Sequence, residues 1–370
     1  MSGRLWHSHL LDRLSGSVGA VLDGALGVYA TQPTGHLALL ARLNGFRPRD
    51  LVEVVESTGV ARLRTLRGSG FLIPIDLIAI VQAATRDKNV TVTRRMAEHG
   101  LVVDTYGVWA DRIDDLLGSG GPMSASEIRN TLDAGEDAGA IRYVIATMTT
   151  ENRLASIPVT RSWRSSGAVY TRWEDRFPDQ DVWSMDPKEG SERLAERYLD
   201  RYGPATAEDL AWWSGMGKRV ARAACETVAE PVSVGGVEMW STGERGDDPP
   251  LGVRLLPVWD PLLVGYRDRS RFIDPDHMPY VYDRSGNATS VVLVDGSVAG
   301  VWDLGADDEH IEIGVAFFVA FDRSVMAGVA TEAARIAEMI GSITVRVVDH
   351  GSPATLADHP SPNRFLRPLA

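Results

Sequence analysis

Residues 191–242 read SERLAERYLDRYGPATAEDLAWWSGMGKRVARAACETVAEPVSVGGVEMWST. Leu194, Tyr198 and Tyr202 recur at helical spacing and share one face. Gly203-Pro204 then stops that helix. Thr206 stands before a second helix, with Asp209 three residues on in the capping-box position. Ser214-Gly215-Met216 forms a tight turn, and a third helix follows with Lys218, Arg219 and Arg222 towards its start. PVSVGGVEMWS alternates with period two around Gly235-Gly236, which is a hairpin signal. Helix, helix, tight turn, helix, hairpin is the order of a winged helix-turn-helix. A plain three-helix cluster with an appended hairpin is the other arrangement this stretch allows.

Moving outward, the arrangement recurs loosely. Between Thr91 and Phe177, SASEIRNTL and AGAIRYVIATMTTENRL supply helices, while RLASIPVTRSW and GAVYTRW supply strands. Nearer the start, VGAVLDGALGVYA and TGHLALLARL read as helical, FRPRDLVEVVEST follows, and ARLRTLRGSGFLIP reads as a hairpin. From Val253 the character changes to alternating runs, SVVLV, SVAGVWDL, HIEIGVAFF and ITVRVV, with Asp295-Gly296 as a turn between two of them. One long amphipathic helix, FDRSVMAGVATEAARIAEMIG, interrupts them, and the Pro-rich tail is irregular. The expected fold is therefore α+β: tandem winged helix-turn-helix domains at 1–90, 91–180 and 181–252, then a small β-barrel at 253–370.

The chain has 370 residues, 38 basic and 50 acidic, for a formal charge of −12. A protein coated in positive charge is excluded, but binding faces are local. The acids gather from Asp179 to Glu192 and near Asp247 and Asp307. Only Lys88, Lys188 and Lys218 are lysines, so arginine supplies nearly all the positive charge. Either a GC-rich coding bias or a need for planar, bidentate phosphate contacts produces that skew. A single cysteine excludes a disulfide scaffold and a cysteine zinc site. No apolar run approaches 18 residues and no secretory pattern opens the chain, so a cytoplasmic protein without a membrane partner is expected.

The chemistry-bearing motifs are few. In RLASIPVTRSWRSSGAVYTRWEDRF, Arg161, Arg164 and Arg172 alternate with Trp163 and Trp173, the mixture that neutralises phosphates and stacks on bases. A solvated hairpin with half-buried aromatics is the competing reading. In WDPLLVGYRDRSRF, which starts at Trp259, Arg267, Arg269 and Arg271 sit two apart and would share one face of a strand. The alternative there is a salt-bridged loop. Neither GSG at Gly68 nor GSGG at Gly118 has the lysine of a phosphate loop. No metal site and no cofactor are expected.

Four stretches together, LGVYATQPTGHLALLARLNGF, TLRGSGFLIPID, YLDRYGPATAEDLAWWSGM and LLPVWDPLLVGYRDRSRF, resemble the AlkZ-like (YcaQ-like) winged-helix DNA-binding proteins. They occur in the family's order and spread over nearly the whole chain. The resemblance implies tandem winged helices around a small barrel, forming a concave DNA channel. It also implies a DNA glycosylase that excises bulky or crosslinked alkylated purines, in some members protecting producers of DNA-alkylating antibiotics. The expected partner is double-stranded, alkylated DNA, bound by a monomer. An N7- or N3-alkylated purine is already cationic and leaves readily, so the protein mainly places a water and favours positive charge on the sugar.

In that family the task falls to Gln-x-Gln or Gln-x-Asp. Matched through ALLARL, the motif falls on Tyr29-Ala30-Thr31, where neither glutamine is kept; shifted by one residue it keeps only Gln32. Three readings follow. Gln32 takes over water positioning, with Thr31 or His36. Tyr29 and Thr31 serve a different lesion or a slower reaction. Or hydrolysis is lost and a silent DNA-binding protein remains, for lesion or drug sequestration or for transcriptional regulation. The candidate catalytic residues are thus Tyr29, Thr31, Gln32 and His36. The candidate DNA contacts are Arg67, which resembles the family's arginine before its hairpin, with Arg161, Trp163, Arg164, Arg172, Trp173, Lys218, Arg219, Arg267 and Arg269.

Overall fold

The structure, a computed structural model, describes residues 2–13, 16–30, 33–64, 69–85, 97, 103–133, 139–158, 163, 167–243, 252–306, 310–342 and 344–356. The chain opens with helices α1 (Ser2–Ser8) and α2 (Val18–Gly24), then strand β1 (Val28–Tyr29). Helices α3 (Thr34–Leu40) and α4 (Pro48–Glu56) lead to strands β2 (Val60–Arg64) and β3 (Gly70–Pro74) and helix α5 (Ile78–Thr85). Next come α6 (Val103–Gly120), β4 (Met123–Ser124), α7 (Ala125–Thr131) and α8 (Ile141–Thr150). Strands β5 (Leu154–Pro158) and β6 (Ala168–Arg172) and the short helix α9 (Trp173–Arg176) close this part.

These strands form one antiparallel sheet, in the order β1-β3-β2-β5-β6-β4. The join is β2 to β5, where Arg62 stands opposite Ser156. The sheet therefore runs across residue 90, where the sequence placed a domain boundary. One row across it is Val28, Leu72, Arg62, Ser156, Tyr170 and Met123. Residues in such a row share a face. Val28 and Leu72 pack into a core with α2, α3 and α4. Met123 and Tyr170 pack instead with α6, α7 and α8. On the opposite face Phe71, Leu63 and Ala155 meet α5 and the helix that follows α9.

That helix, α10 (Pro187–Tyr202), begins four residues before Ser191, where the sequence places the start of the helical stretch, because Asp186 caps Lys188 and Glu189 and Pro187 suits the first turn. Helix α11 (Ala207–Ser214) has the capping box of Thr206 and Asp209 and ends at Gly215 with φ +81°. Helix α12 (Lys218–Val228) carries Cys225, which is buried with its thiol pushed up to about 12 by desolvation. Strands β7 (Glu230–Val234) and β8 (Val237–Ser241) pair through Gly235 and Gly236, both at positive φ as a type I′ turn requires.

The remainder holds β9 (Val253–Leu256), the short helices α13 (Pro261–Val264) and α14 (Met278–Val281), and strands β10 (Val291–Val294), β11 (Ser297–Ala306) and β12 (His310–Phe317). Helix α15 (Arg323–Ile340) and strand β13 (Thr344–Asp349) complete it. The sheet order is β13-β12-β11-β10-β9, antiparallel except for the parallel β12–β13 pair. A parallel pair needs a crossover, and α15 is that crossover. The small barrel expected here is an open sheet: among the described residues β9 and β13 each have one neighbour. Val253, Trp302, Ile313 and α15 join it to the core of α2–α4, so the two ends of the chain share one apolar interior.

Candidate active site

The segment that the sequence marks for chemistry begins where α2 ends. Leu26 at φ +53° and Gly27 at φ +101° break the helix and turn the chain into β1. The helix expected across VGAVLDGALGVYA is therefore two elements. A side chain at position 27 would put its Cβ 2.7 Å from the Leu72 carbonyl oxygen, so glycine is required by space as well as by φ. Pairing with β3 sets Val28 opposite Leu72 and Tyr29 opposite Phe71, and the Ala30 N–H donates to the Gly70 carbonyl at 2.9 Å. Val28 points into the core. Tyr29 takes the other face and stays half-buried.

Pro33 precedes α3, all seven residues of which are buried. His36 is fully enclosed and lies 6.0 Å from the Phe46 ring, and neither ring nitrogen has a hydrogen-bond partner. Burial disfavours the charged imidazolium and lowers its pKa to about 4. His36 is thus a neutral interior side chain, which corrects its expected place beside a reacting water. Thr31 and Gln32 lie outside the described residues.

Tyr29 does not stand alone. Its ring meets Phe71 at 6.0 Å and Trp259 at 4.4 Å, with an interplanar angle of 62° in the second contact. Trp259 is half-buried and its backbone has φ +50°, a conformation that costs a bulky residue on the order of 1–3 kcal/mol. What holds it there is the next residue. The Asp260 carboxylate accepts from the Leu262 N–H at 3.0 Å and caps α13. It also receives both Arg42 Nη atoms, at 2.7 and 2.8 Å, and neither side chain is exposed. Arg42 gives two further hydrogen bonds, to the His9 and Ala38 carbonyls, each at 2.9 Å. The end of α3 and the Trp259 turn are thereby bolted together.

A second set of contacts fixes the start of the segment. The Tyr202 hydroxyl donates to the Ala25 carbonyl at 2.8 Å, and the Tyr266 hydroxyl donates to the Tyr202 carbonyl at 3.0 Å. His9 Nε2 sits 3.1 Å from the same Tyr266 hydroxyl. Both the approach to β1 and the exit from α3 are tied to the second half of the chain.

The expected DNA contacts separate into groups. Lys218 and Arg219 stand exposed at the start of α12 with no ion pair among the described residues. Trp163 is half-buried and packs on the core of α2–α4. Arg172 pairs with Glu174 at 3.0 Å and Asp175 at 2.6 Å. Trp173 is only 6% exposed and packs on Phe177 with ring centroids 4.6 Å apart, so its expected stacking role is corrected to a core role. Arg67, Arg161 and Arg164 lie outside the described residues.

The run Arg267, Arg269, Arg271 is not a strand but a tight loop closed around Asp209. Asp209, fully buried, accepts from the Arg267 and Asp268 N–H groups at 2.8 and 3.0 Å and pairs with the Arg271 guanidinium at 3.1 Å. Arg269 lies over Tyr282 at 3.9 Å and Trp212 at 5.2 Å, leaving Arg267 as the exposed member. Buried carboxylate and strong turn-forming bonds outweigh the alternation that suggested a strand.

A family profile described as DNA glycosylase AlkZ-like matches residues 24–339, which take in the β1–α3 segment, Trp259 and every strand but β13. The chain belongs to that AlkZ-like family. An interstrand DNA cross-link repair glycosylase of Streptomyces sahachiroi is 28% identical over 186 residues, 44% of this chain and 47% of that protein. The chain thus spans about half the length of the curated relative it matches. The solved structure of Streptomyces sahachiroi DNA glycosylase AlkZ superposes with a TM-score of 0.74, covering 94% of this chain and 98% of that one at 21% identity, which is a likeness of fold.

Within this AlkZ-like chain, two site features were not evident as such in the sequence. The Arg42–Asp260 pair joins residues 218 positions apart, and no local pattern announces it. Arg62, half-buried at the centre of the six-stranded sheet, makes no ion pair among the described residues and stands opposite Ser156. Its signal was only the alternation of ARLR, where an arginine fell on the face that also carries Val28 and Leu72.

Proposed function

We propose that this AlkZ-like protein is a monofunctional DNA glycosylase that hydrolyses the N-glycosidic bond of N7- or N3-alkylated purines in double-stranded DNA, with a role in resistance to a DNA-alkylating compound. The observation that carries the reading is family membership across residues 24–339, which include the Tyr29–His36 segment. The resemblance to an interstrand cross-link repair glycosylase supports bulky lesions as the substrate class. Gln32 orients the attacking water, with Thr31 beside it in the chain. Tyr29 and Trp259 bound the leaving purine, and buried His36 shapes α3 without taking a proton at neutral pH. No lysine lies in this segment to form a Schiff base, so the reaction ends at an abasic site.

DNA is held by a tandem winged-helix arrangement, with Lys218, Arg219, Arg267, Arg67, Arg161 and Arg164 on phosphates and Trp163 on an exposed base. A single copy acts alone. The test is incubation with duplex DNA carrying one N7-methylguanine, followed by mild alkali. Strand breaks above spontaneous depurination support the glycosylase. Retarded DNA without excess breaks leaves the silent binding protein instead.

A further inference from the structure

We propose that Trp259 is a specificity-determining contact that selects a cationic, N-alkylated purine over a neutral purine of the same outline. The inference rests on the glycosylase reading for its substrate and adds to it how the lesion is told from normal DNA.

Three observations converge on Trp259. Its ring lies 4.4 Å from that of Tyr29, at the end of the strand that leads into the proposed water-positioning segment. Both rings are half-buried, so part of the indole stays accessible while the rest packs on protein. The indole is also held in place at a cost, since Trp259 sits at φ +50° and Asp260 beside it is fixed by the fully enclosed Arg42 guanidinium.

The chemistry of the lesion supplies the reason. Alkylation at N7 or N3 places a positive charge on the purine ring, and an unmodified purine is neutral. The face of an indole is negative and attracts a cation more strongly than any other side-chain ring does. Tyr29, set at 62° to Trp259 with ring centroids 4.4 Å apart, packs against the indole and braces it. A cationic base is favoured against the accessible part of the indole, and a neutral base gains only stacking there.

The test uses the full chain and three duplexes, measured by direct binding. One carries 2′-fluoro-N7-methylguanosine, whose fluorine keeps the glycosidic bond intact. One carries 7-deaza-7-methylguanosine, which has the same outline without the charge. One carries guanosine. The wild-type protein is expected to prefer the cationic duplex over its neutral counterpart by roughly 2- to 30-fold. Trp259→Ala brings that ratio to about one, and Trp259→Phe leaves it between one and the wild-type value, as the weaker ring quadrupole requires. A wild-type ratio of one, or a ratio that Trp259→Ala leaves unchanged, overturns the proposal. If Trp259→Ala does not fold, an unchanged ratio in Trp259→Phe overturns it equally. A protein that discriminates by charge but releases no base keeps this inference and loses the glycosylase reading. A protein that excises the lesion with a binding ratio of one does the reverse.

Discussion

The Arg42 guanidinium and the Asp260 carboxylate meet in a bidentate pair that is closed to solvent on both sides, with Nη2 to Oδ1 at 2.7 Å and Nη1 to Oδ2 at 2.8 Å. Removing one partner strands a buried charge. Asp260→Ala is therefore expected to cost about 3–5 kcal/mol in urea unfolding. The double change Arg42→Met with Asp260→Leu is expected to recover much of that loss, because no unpaired charge remains. Equal losses in the single and double variants would show that the pair is not what ties α3 to the Trp259 turn.

His36 gives a pH signature. Its native pKa is lowered to about 4 by burial, against an ordinary value of 6.5. Between those values the unfolded chain binds the proton and the native protein does not, so stability falls as pH drops from 6.5 to about 4. The loss attributable to this one group is up to about 3 kcal/mol. His36→Leu fits the apolar surroundings and should flatten that part of the curve. Parallel stability curves for wild type and variant would sink the assignment.

Much of the fold was legible because the cues were local. The capping box at Thr206 and Asp209, the Gly203-Pro204 stop and the Asp295-Gly296 turn all stand where their residues imply. So does α15, whose long apolar stripe needs no partner to be recognised. What escaped was decided at a distance. The loop of Arg267–Arg271 is shaped by Asp209, nearly sixty positions earlier, and alternation alone favoured a strand. The open edge at β9 depends on which strands fail to meet, and no run of residues encodes that. At the candidate site the sequence marked Tyr29 but not the ring opposite it, since Trp259 comes close only through the buried pair beneath it.

The turn before β1 yields a third expectation. Gly27→Ala must accept φ +101° and a contact of 2.7 Å with the Leu72 carbonyl. The change should destabilise the protein by at least about 1 kcal/mol and, on the proposed glycosylase reading, lower the excision rate through a displaced Tyr29. Unaltered thermal unfolding and unaltered single-turnover rates would show that the turn tolerates a side chain.

Phosphate contacts and structural arginines should part company in a salt titration. Lys218 and Arg219 are exposed and unpaired among the described residues, and each phosphate contact contributes about 0.9 to the slope of log K against log salt. The double variant Lys218→Ala/Arg219→Ala should reduce the slope by up to about 1.8 without loss of stability. Arg271→Ala breaks a nearly enclosed pair with Asp209 and should lose stability with the slope unchanged. The opposite pattern would move the proposed DNA interface from α12 to the Arg267–Arg271 loop.

Cys225 has a bearing on the protein's own survival. It is the chain's single sulfhydryl, it lies inside the packing of α12, and burial keeps it protonated far above neutral pH. Electrophiles attack sulfur chiefly as thiolate. A protein proposed to work among compounds that alkylate nucleic acid therefore carries its one thiol in an inert form.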